Sequence, residues 1–191
     1  NRDALAAAEA SNGRLVPLAA ISLYGHDAGD GYVEGLKGAG FAGIVLFPGR
    51  FGWGLDHVAF RALARQAADL GLPMQLVIQD PADLIHAADH AGLPGGPVLL
   101  RWTKRGGYTN LPDILAVARD CPNFLFDVGS VTQTGGIDRL AERMGPERLF
   151  VAANMPDAYE ACPYFMLQAS GLDAEAKRLV GGANLARLFG R

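Results

Sequence analysis

Residues 145–156 read GPERLFVAANMP, and this stretch decides the fold. Gly145 and Pro146 end a preceding helix, and residues 149–152 form a short apolar run typical of a strand buried in a parallel sheet. Asn154 then follows the strand at its carboxyl end. Because α/β folds carry their chemistry at this end of the strands, the stretch predicts an α/β protein with functional side chains where strands end.

The same strand-then-helix unit recurs upstream of this stretch. Six apolar segments have centres 23 to 31 residues apart, which is the spacing of βα units joined by right-handed crossovers. The predicted strands are residues 14–23, 41–47, 74–78, 97–102, 124–127 and 149–152. Pro17 cannot donate a ladder hydrogen bond, so the first strand is predicted to be an edge strand or to start late. No linker or low-complexity run interrupts the chain, which predicts one domain over residues 1–191.

Composition narrows the class of protein. The chain has 191 residues, 50% of them hydrophobic, which suffices for one core. The net charge of -3 and the lack of a dense Lys/Arg block argue against a nucleic-acid partner. No apolar run approaches the ~18 residues of a membrane span. Cys121 and Cys162 are predicted to be free thiols of a reducing compartment, which indicates a cytoplasmic protein.

Six consecutive units fit either an open doubly wound sheet or part of an eight-unit barrel. A dinucleotide-binding sheet requires G-x-G-x-x-G after a strand and at the start of a helix. Gly38, Gly40 and Gly43 have this spacing, but they follow a helix and precede a strand. Since that context is reversed, the motif does not indicate a dinucleotide site.

Several runs resemble the amidohydrolase-related TIM-barrel hydrolases. They are FAGIVLFP (41–48), LDHVAFRALARQAADLGLPM (55–74), PNFLFDVGS (122–130) and GPERLFVAANMP (145–156), and GLDAEAKRLVGGANLARLFGR (171–191) is similar to the C-terminal helices of the family. The resemblance implies a TIM-barrel-like fold with six βα units of an incomplete (β/α)8 barrel. The first two units would be absent, and a full barrel has ~250 residues.

An incomplete barrel implies two open edges. Six strands cannot close with the usual geometry because strand number, tilt and shear are linked. The first and last strands would then expose unpaired backbone groups. We therefore expect the open edges to be covered by an N-terminal segment missing from this chain, by a second polypeptide, or by a partner copy in a homo-oligomer.

The resemblance also implies a divalent metal such as zinc. In the family, His-x-His on the first strand, His on the fifth and sixth, and Asp on the eighth hold the metal. The first pair lies outside this chain, and the other positions fall on Gln79, Arg101 and Asn154. Gln and Asn are poor zinc ligands, and an Arg guanidinium repels a cation. We therefore predict no metal site and no cofactor.

The same strand ends predict a binding site for a small carboxylate, because an Arg guanidinium binds a carboxylate in a bidentate manner. The predicted substrate-binding residues, with Lys104 as a further cation, are Tyr24, Arg50, Gln79, Arg101 and Asn154. Asp127 is the predicted general base, provided that burial tunes its pKa, and His26 is a second candidate acid or base. The alternative is that these polar residues only hydrogen-bond backbone groups at strand ends.

The sequence predicts two alternative functions. The first is an enzyme with hydrolase-like or decarboxylase-like action on a small carboxylate, lactone or amide, as the family resemblance implies. The second is a catalytically degenerate barrel that binds a ligand or supports a partner protein. The substituted metal positions favour the second function, and the resemblance favours the first.

Overall fold

The computed structural model describes residues 1–23, 31–79, 81–92, 95–102, 111–131, 133–153, 155 and 161–191. One parallel sheet contains six strands in the order β1-β2-β3-β4-β5-β6, so each strand pairs with the next along the chain. A doubly wound sheet would reverse its strand order at a switch point, whereas a barrel does not. The predicted fold class, an incomplete TIM-barrel-like arrangement, is therefore confirmed. The strands are β1 (Leu18–Ile21), β2 (Gly43–Leu46), β3 (Met74–Ile78), β4 (Val98–Trp102), β5 (Phe124–Asp127) and β6 (Leu149–Phe150).

Helices connect the strands and continue beyond the last one. The α-helices are α1 (Arg2–Ala10), α2 (Tyr32–Gly38), α3 (Pro48–Phe51), α4 (Val58–Asp69), α5 (Pro81–Ala87), α6 (Leu111–Asp120), α7 (Gly136–Met144), α8 (Ala161–Ala169), α9 (Ala174–Arg178) and α10 (Asn184–Leu188). Within the described residues, Ala88–Gly92 form a π-helical turn and Pro146–Arg148 form a 3-10 turn, while Leu179–Ala183 connect α9 to α10 across a kink at Gly182. Among the described residues, no helix combines the length and the apolar character needed to cross a membrane.

Most predicted boundaries agree with the structure, and two local features differ. Strands β3 and β5 have the predicted bounds, and β1 begins directly after Pro17 at the sheet edge. The sequence predicts a loop over residues 48–55, whereas helix α3 occupies the first four of them. The sequence also predicts Asp56 as the N-cap of α4. That prediction is wrong by one residue, because His57 is the N-cap and its Nδ1 accepts a hydrogen bond from the Ala59 N–H at 3.2 Å.

The two faces of the sheet have different surroundings. Alternate strand residues, such as Leu76, Leu100 and Phe126, share one face and pack with Phe60 of α4 and Leu140 of α7 in the main core. The opposite face is the inner face of the incomplete barrel. Its buried members are Val45, Val77, Leu99, Asp127 and Phe150. Ala20 of β1 lies on this inner face and is exposed, so the interior is less enclosed near β1.

Side chains of this chain form hydrogen bonds with the outer edges of β1 and β6, the two edges that the sequence predicts to be open. On the outer edge of β1, Asn1 Oδ1 accepts the Ala20 N–H at 2.8 Å, and Asn1 Nδ2 donates to the Ala20 carbonyl at 3.0 Å. On the outer edge of β6, Asn184 Nδ2 donates to the Leu149 carbonyl at 2.7 Å. Side-chain amides thus occupy backbone positions that a further strand would use. Coverage by another segment or a partner copy stays a prediction.

Candidate functional site

The inner face carries two charged side chains next to each other at the carboxyl ends of the strands. Arg101 of β4 is in register with Val77 of β3, and Asp127 of β5 is in register with Phe150 of β6. Because Leu100 pairs with Phe126, the next register position brings Arg101 beside Asp127. Residues paired in a parallel ladder point to the same face. Arg101 and Asp127 therefore lie side by side, flanked by apolar neighbours.

Asp127 is completely enclosed, with 0% of its surface exposed. Its Oδ1 atom accepts hydrogen bonds from the Gly129 N–H at 2.7 Å and the Ala152 N–H at 2.9 Å. Burial raises the pKa of Asp127 from 3.8 to about 7, against the opposing influence of the two N–H groups and of Arg101. Desolvation prevails because an ionised carboxylate loses its hydration when it is enclosed. The carboxyl group thus titrates near neutral pH, where a side chain is an efficient proton donor or acceptor.

The turn at residues 127–130 links the carboxyl ends of three strands. Asp127 bonds to the Ala152 N–H beyond β6, and Ser130 Oγ donates to the Trp102 carbonyl of β4 at 2.8 Å. A Cβ on Gly129 would collide with the Ala152 carbonyl, so only glycine fits there. The strand-end pattern in the sequence predicts no role for Gly129 or Ser130. The available signal is the Asp-Val-Gly-Ser run that begins at Asp127, the last residue of β5.

The other described candidates are more exposed than Asp127. Arg101 is half-buried, and Gln79, directly after β3, is exposed. The Gln79 side chain lies against α3, because a Cβ on Gly49 would be 2.7 Å from Gln79 Oε1. Arg50 is an exposed residue of α3, which follows the carboxyl end of β2. The structure thus places Arg50, Gln79, Arg101 and Asp127 at the same end of the sheet.

Four predicted residues fall on parts of the chain that the structure does not describe. Tyr24, His26, Lys104 and Asn154 lie outside the described residues. Their predicted roles in ligand binding and acid-base chemistry stay predictions.

The described residues do not fit the divalent metal that the resemblance implies. Among them, no group of three or more His, Cys, Asp or Glu side chains is placed to hold a metal ion. Arg101, at a position where the resemblance implies a histidine ligand, puts a fixed positive charge beside Asp127. A guanidinium has no acceptor atom and repels a cation. This donor set suits an anion better than a metal.

Comparison with solved structures defines the class of fold. The alignment with an uncharacterised TIM-barrel protein from Bordetella bronchiseptica covers 100% of this chain and 73% of that protein, with a TM-score of 0.81 and 18% identity. A 5-carboxyvanillate decarboxylase from Sphingomonas paucimobilis matches 99% of this chain and 70% of its own, with a TM-score of 0.74 and 13% identity. A zinc-bound amidohydrolase from Burkholderia multivorans matches 100% of this chain and 80% of its own, with a TM-score of 0.70 and 13% identity.

The likeness establishes a TIM-barrel fold for this chain. Its structural neighbours are amidohydrolase-superfamily TIM-barrel proteins, the group that the sequence resembles. No protein-family model matches the chain, and no curated protein matches it.

Proposed function

We propose that this chain is an enzyme that binds a small carboxylate at Arg101 and acts on it in a hydrolase-like or decarboxylase-like reaction. One observation carries the proposal: a half-buried guanidinium lies beside a fully buried carboxyl group whose pKa is about 7, at the catalytic end of a TIM-barrel sheet. A permanent cation next to a group that titrates near neutrality combines ligand binding with proton transfer in one place.

Arg101 is the ligand-binding residue of the proposal. Its guanidinium donates two parallel hydrogen bonds to a carboxylate, which fixes the orientation of the ligand as well as its position. Val77 and Phe150 lie on either side of the pair and are 5% and 3% exposed. These apolar neighbours suit the hydrocarbon or aromatic part of a small organic acid.

Asp127 is the proton-transfer residue of the proposal. Two backbone N–H groups bond to Oδ1, so the proton is held on Oδ2 when the carboxyl group is neutral. A carboxyl group with a pKa of about 7 donates or accepts that proton near neutral pH. Hydrolysis and decarboxylation both require a proton at the atom that loses its bond.

The comparisons support the ligand class. The decarboxylase among the neighbours is named for a carboxylate, 5-carboxyvanillate, and other neighbours are amidohydrolases. One amidohydrolase contains zinc, whereas the donor set around Arg101 does not suit a cation. The proposed chemistry therefore uses the guanidinium of Arg101 and the carboxyl group of Asp127.

Calorimetric titration with benzoate and 5-carboxyvanillate tests the proposal, combined with chromatography of each mixture for decarboxylated product. A panel of small lactones and amides tests hydrolysis in the same way. We expect Arg101→Met to weaken carboxylate binding by at least tenfold, because charged hydrogen bonds contribute about 1.5–3 kcal/mol. The control Arg65→Met, at an exposed position on α4, should bind as the wild type does. Carboxylate binding that is absent, or that survives Arg101→Met unchanged, would overturn the proposal.

A second candidate function is a ligand-binding barrel without catalysis. The specific observation that favours it is that Gln79 and Arg101 occupy positions where the resemblance implies histidine ligands. The same titrations discriminate the two functions. Binding that depends on Arg101, with no product formed from any compound of the panel, would assign the degenerate barrel.

A further inference from the structure

We propose that the binding of a carboxylate at Arg101 is coupled to the uptake of one proton by Asp127. This inference rests on the proposed function, because it assumes that Arg101 binds the ligand. It goes further by making affinity depend on pH through a second residue that the ligand need not touch.

The geometry of the inner face provides the coupling. Arg101 and Asp127 occupy adjacent register positions on neighbouring strands and point to the same face. Asp127 has no exposed surface, so water screens its charge poorly. The negative charge of a ligand bound at the neighbouring guanidinium therefore acts strongly on the carboxyl group.

The two backbone hydrogen bonds to Asp127 stay constant when a ligand binds at Arg101. The Gly129 and Ala152 N–H groups belong to the backbone and remain bonded to Oδ1. In the same row of the inner face, β3 and β6 contribute Val77 and Phe150, which carry no charge. Among the described residues, the charge that shifts the pKa of Asp127 is that of Arg101, and it lowers this pKa.

The sign of the coupling follows from this arrangement. A carboxylate bound to the guanidinium offsets the positive charge that favours ionised Asp127. It also brings a negative charge close to Asp127, which favours the neutral carboxyl group. Binding therefore draws a proton onto Asp127 whenever the pH lies above the pKa of the free site.

The consequence is a pH-dependent affinity with a defined slope. Below about pH 6 Asp127 already holds its proton, so binding takes up none. Above about pH 7 the binding of each carboxylate makes Asp127 take up as much as one proton from solvent, and Kd rises by at most about tenfold per pH unit. Binding thus loads Asp127 with the proton that conversion of the ligand needs.

Titration calorimetry with benzoate tests the coupling, using two buffers that differ in ionisation enthalpy so that the proton count can be extracted. We expect the wild type to take up almost no proton near pH 6 and close to one proton near pH 8. Asp127→Asn keeps an oxygen acceptor for both N–H groups and cannot titrate. This variant should bind benzoate with no proton uptake and with a flat Kd across the range. The control Asp69→Asn, at an exposed position of α4, should match the wild type.

The outcomes separate this inference from the proposed function. If the wild type binds benzoate near pH 8 without taking up a proton, the coupling is overturned and the carboxylate site stays in place. The same conclusion follows if Asp127→Asn still takes up a proton when it binds benzoate. If neither benzoate nor 5-carboxyvanillate binds, the proposed function fails and the coupling fails with it. If Asp127→Asn does not fold, the proton count of the wild type alone decides.

Discussion

At the amino end of the sheet, the half-buried Arg148 and the buried Asn184 donate hydrogen bonds to backbone carbonyls, whereas at the carboxyl end a buried carboxyl group accepts them from backbone N–H groups. Arg148, directly before β6, donates to the carbonyls of Ala118, Cys121 and Phe124 at distances from 2.6 to 3.1 Å. Asp127 at the other end accepts from two N–H groups. Arg148 thus links α6 and β5 to the start of β6, and Asp127 links β5 to the backbone beyond β6.

The difference lies in what pH does to the two ends. Asn184 and Asp127 are equally buried, at 1% and 0% exposure. Asn184 has no charge to gain or lose, and a guanidinium such as Arg148 stays protonated. Asp127 changes its charge near pH 7. The amino end therefore contributes a constant stability, and the carboxyl end contributes one that varies in the range where the proposed chemistry takes place. This division agrees with the separation of stabilising and catalytic ends in TIM barrels.

The largest expected effect is at the amino end. Arg148→Met removes four hydrogen bonds to the carbonyls of Ala118, Cys121 and Phe124, and the Cys121 carbonyl retains the Phe124 N–H at 3.2 Å. We expect the free energy of unfolding to fall by about 4 kcal/mol. Urea unfolding at two pH values measures this, and the loss should be the same at both. The control Arg143→Met, at an exposed position of α7, should leave stability unchanged. A loss that disappears at one pH would contradict the constant role of this end.

The next effect is the pH dependence that Asp127 confers. Its pKa is higher in the folded state, about 7, than in the unfolded chain, so the folded state binds the additional proton. The stabilisation is complete below the ordinary pKa of 3.8 and is lost as pH rises through about 7. We expect the free energy of unfolding to fall by about 3 kcal/mol between about pH 4 and pH 7 because of this group.

The substitution Asp127→Asn isolates this contribution. The amide keeps the Oδ1 acceptor and cannot ionise, so its unfolding free energy should change less between about pH 4 and pH 8 than that of the wild type. Above pH 7 the variant should be the more stable protein. Urea unfolding curves at intervals across the range provide the measurement. Equal slopes for the two proteins would show that Asp127 does not titrate in this window.

A smaller effect is expected for Asn184, the uncharged counterpart of Asp127. Asn184→Ala removes the hydrogen bonds to the carbonyls of Pro146 and Leu149, which are 2.8 and 2.7 Å long. The free energy of unfolding should fall by about 2 kcal/mol, because two acceptors lose a donor and a small cavity forms. The loss should be equal at low and high pH, and carboxylate affinity at Arg101 should not change. Weaker binding in this variant would show that the two ends are not independent.

Local sequence patterns predict much of the fold. Strands β3 and β5 have the predicted bounds because their apolar runs end at turn-forming residues. Pro17 correctly predicts the late start of β1 and its edge position. Helix α3 and the His57 cap were missed, because short helices and caps depend on contacts that no periodic pattern records.

The candidate site is predictable in position but not in environment. Strand-end position indicates Arg101 and Asp127, and the alternation of side chains then assigns both to one face. The enclosure of Asp127 depends on packing, and its bond to the Ala152 N–H spans 25 residues of sequence. A pattern within a few neighbouring residues cannot predict a contact between residues so far apart in the sequence. The fit of Gly129 against the Ala152 carbonyl is of the same kind.

The smallest expected effect on stability, at Ser130, tests whether the carboxyl end positions the ligand-binding residue. Ser130 Oγ donates to the carbonyl of Trp102, the residue after Arg101. Ser130→Ala removes the neutral hydrogen bond to the Trp102 carbonyl, so the free energy of unfolding should fall by about 1 kcal/mol. We expect benzoate to bind several-fold more weakly, since the end of β4 loses a contact that fixes it, while Ser130→Thr keeps the hydroxyl and restores binding. Ser170→Ala is a matched control, because Ser170 Oγ donates a comparable 2.7 Å bond to the Leu167 carbonyl in α8. If both alanine variants lose stability and neither loses affinity, the bond at Ser130 stabilises the fold without positioning Arg101.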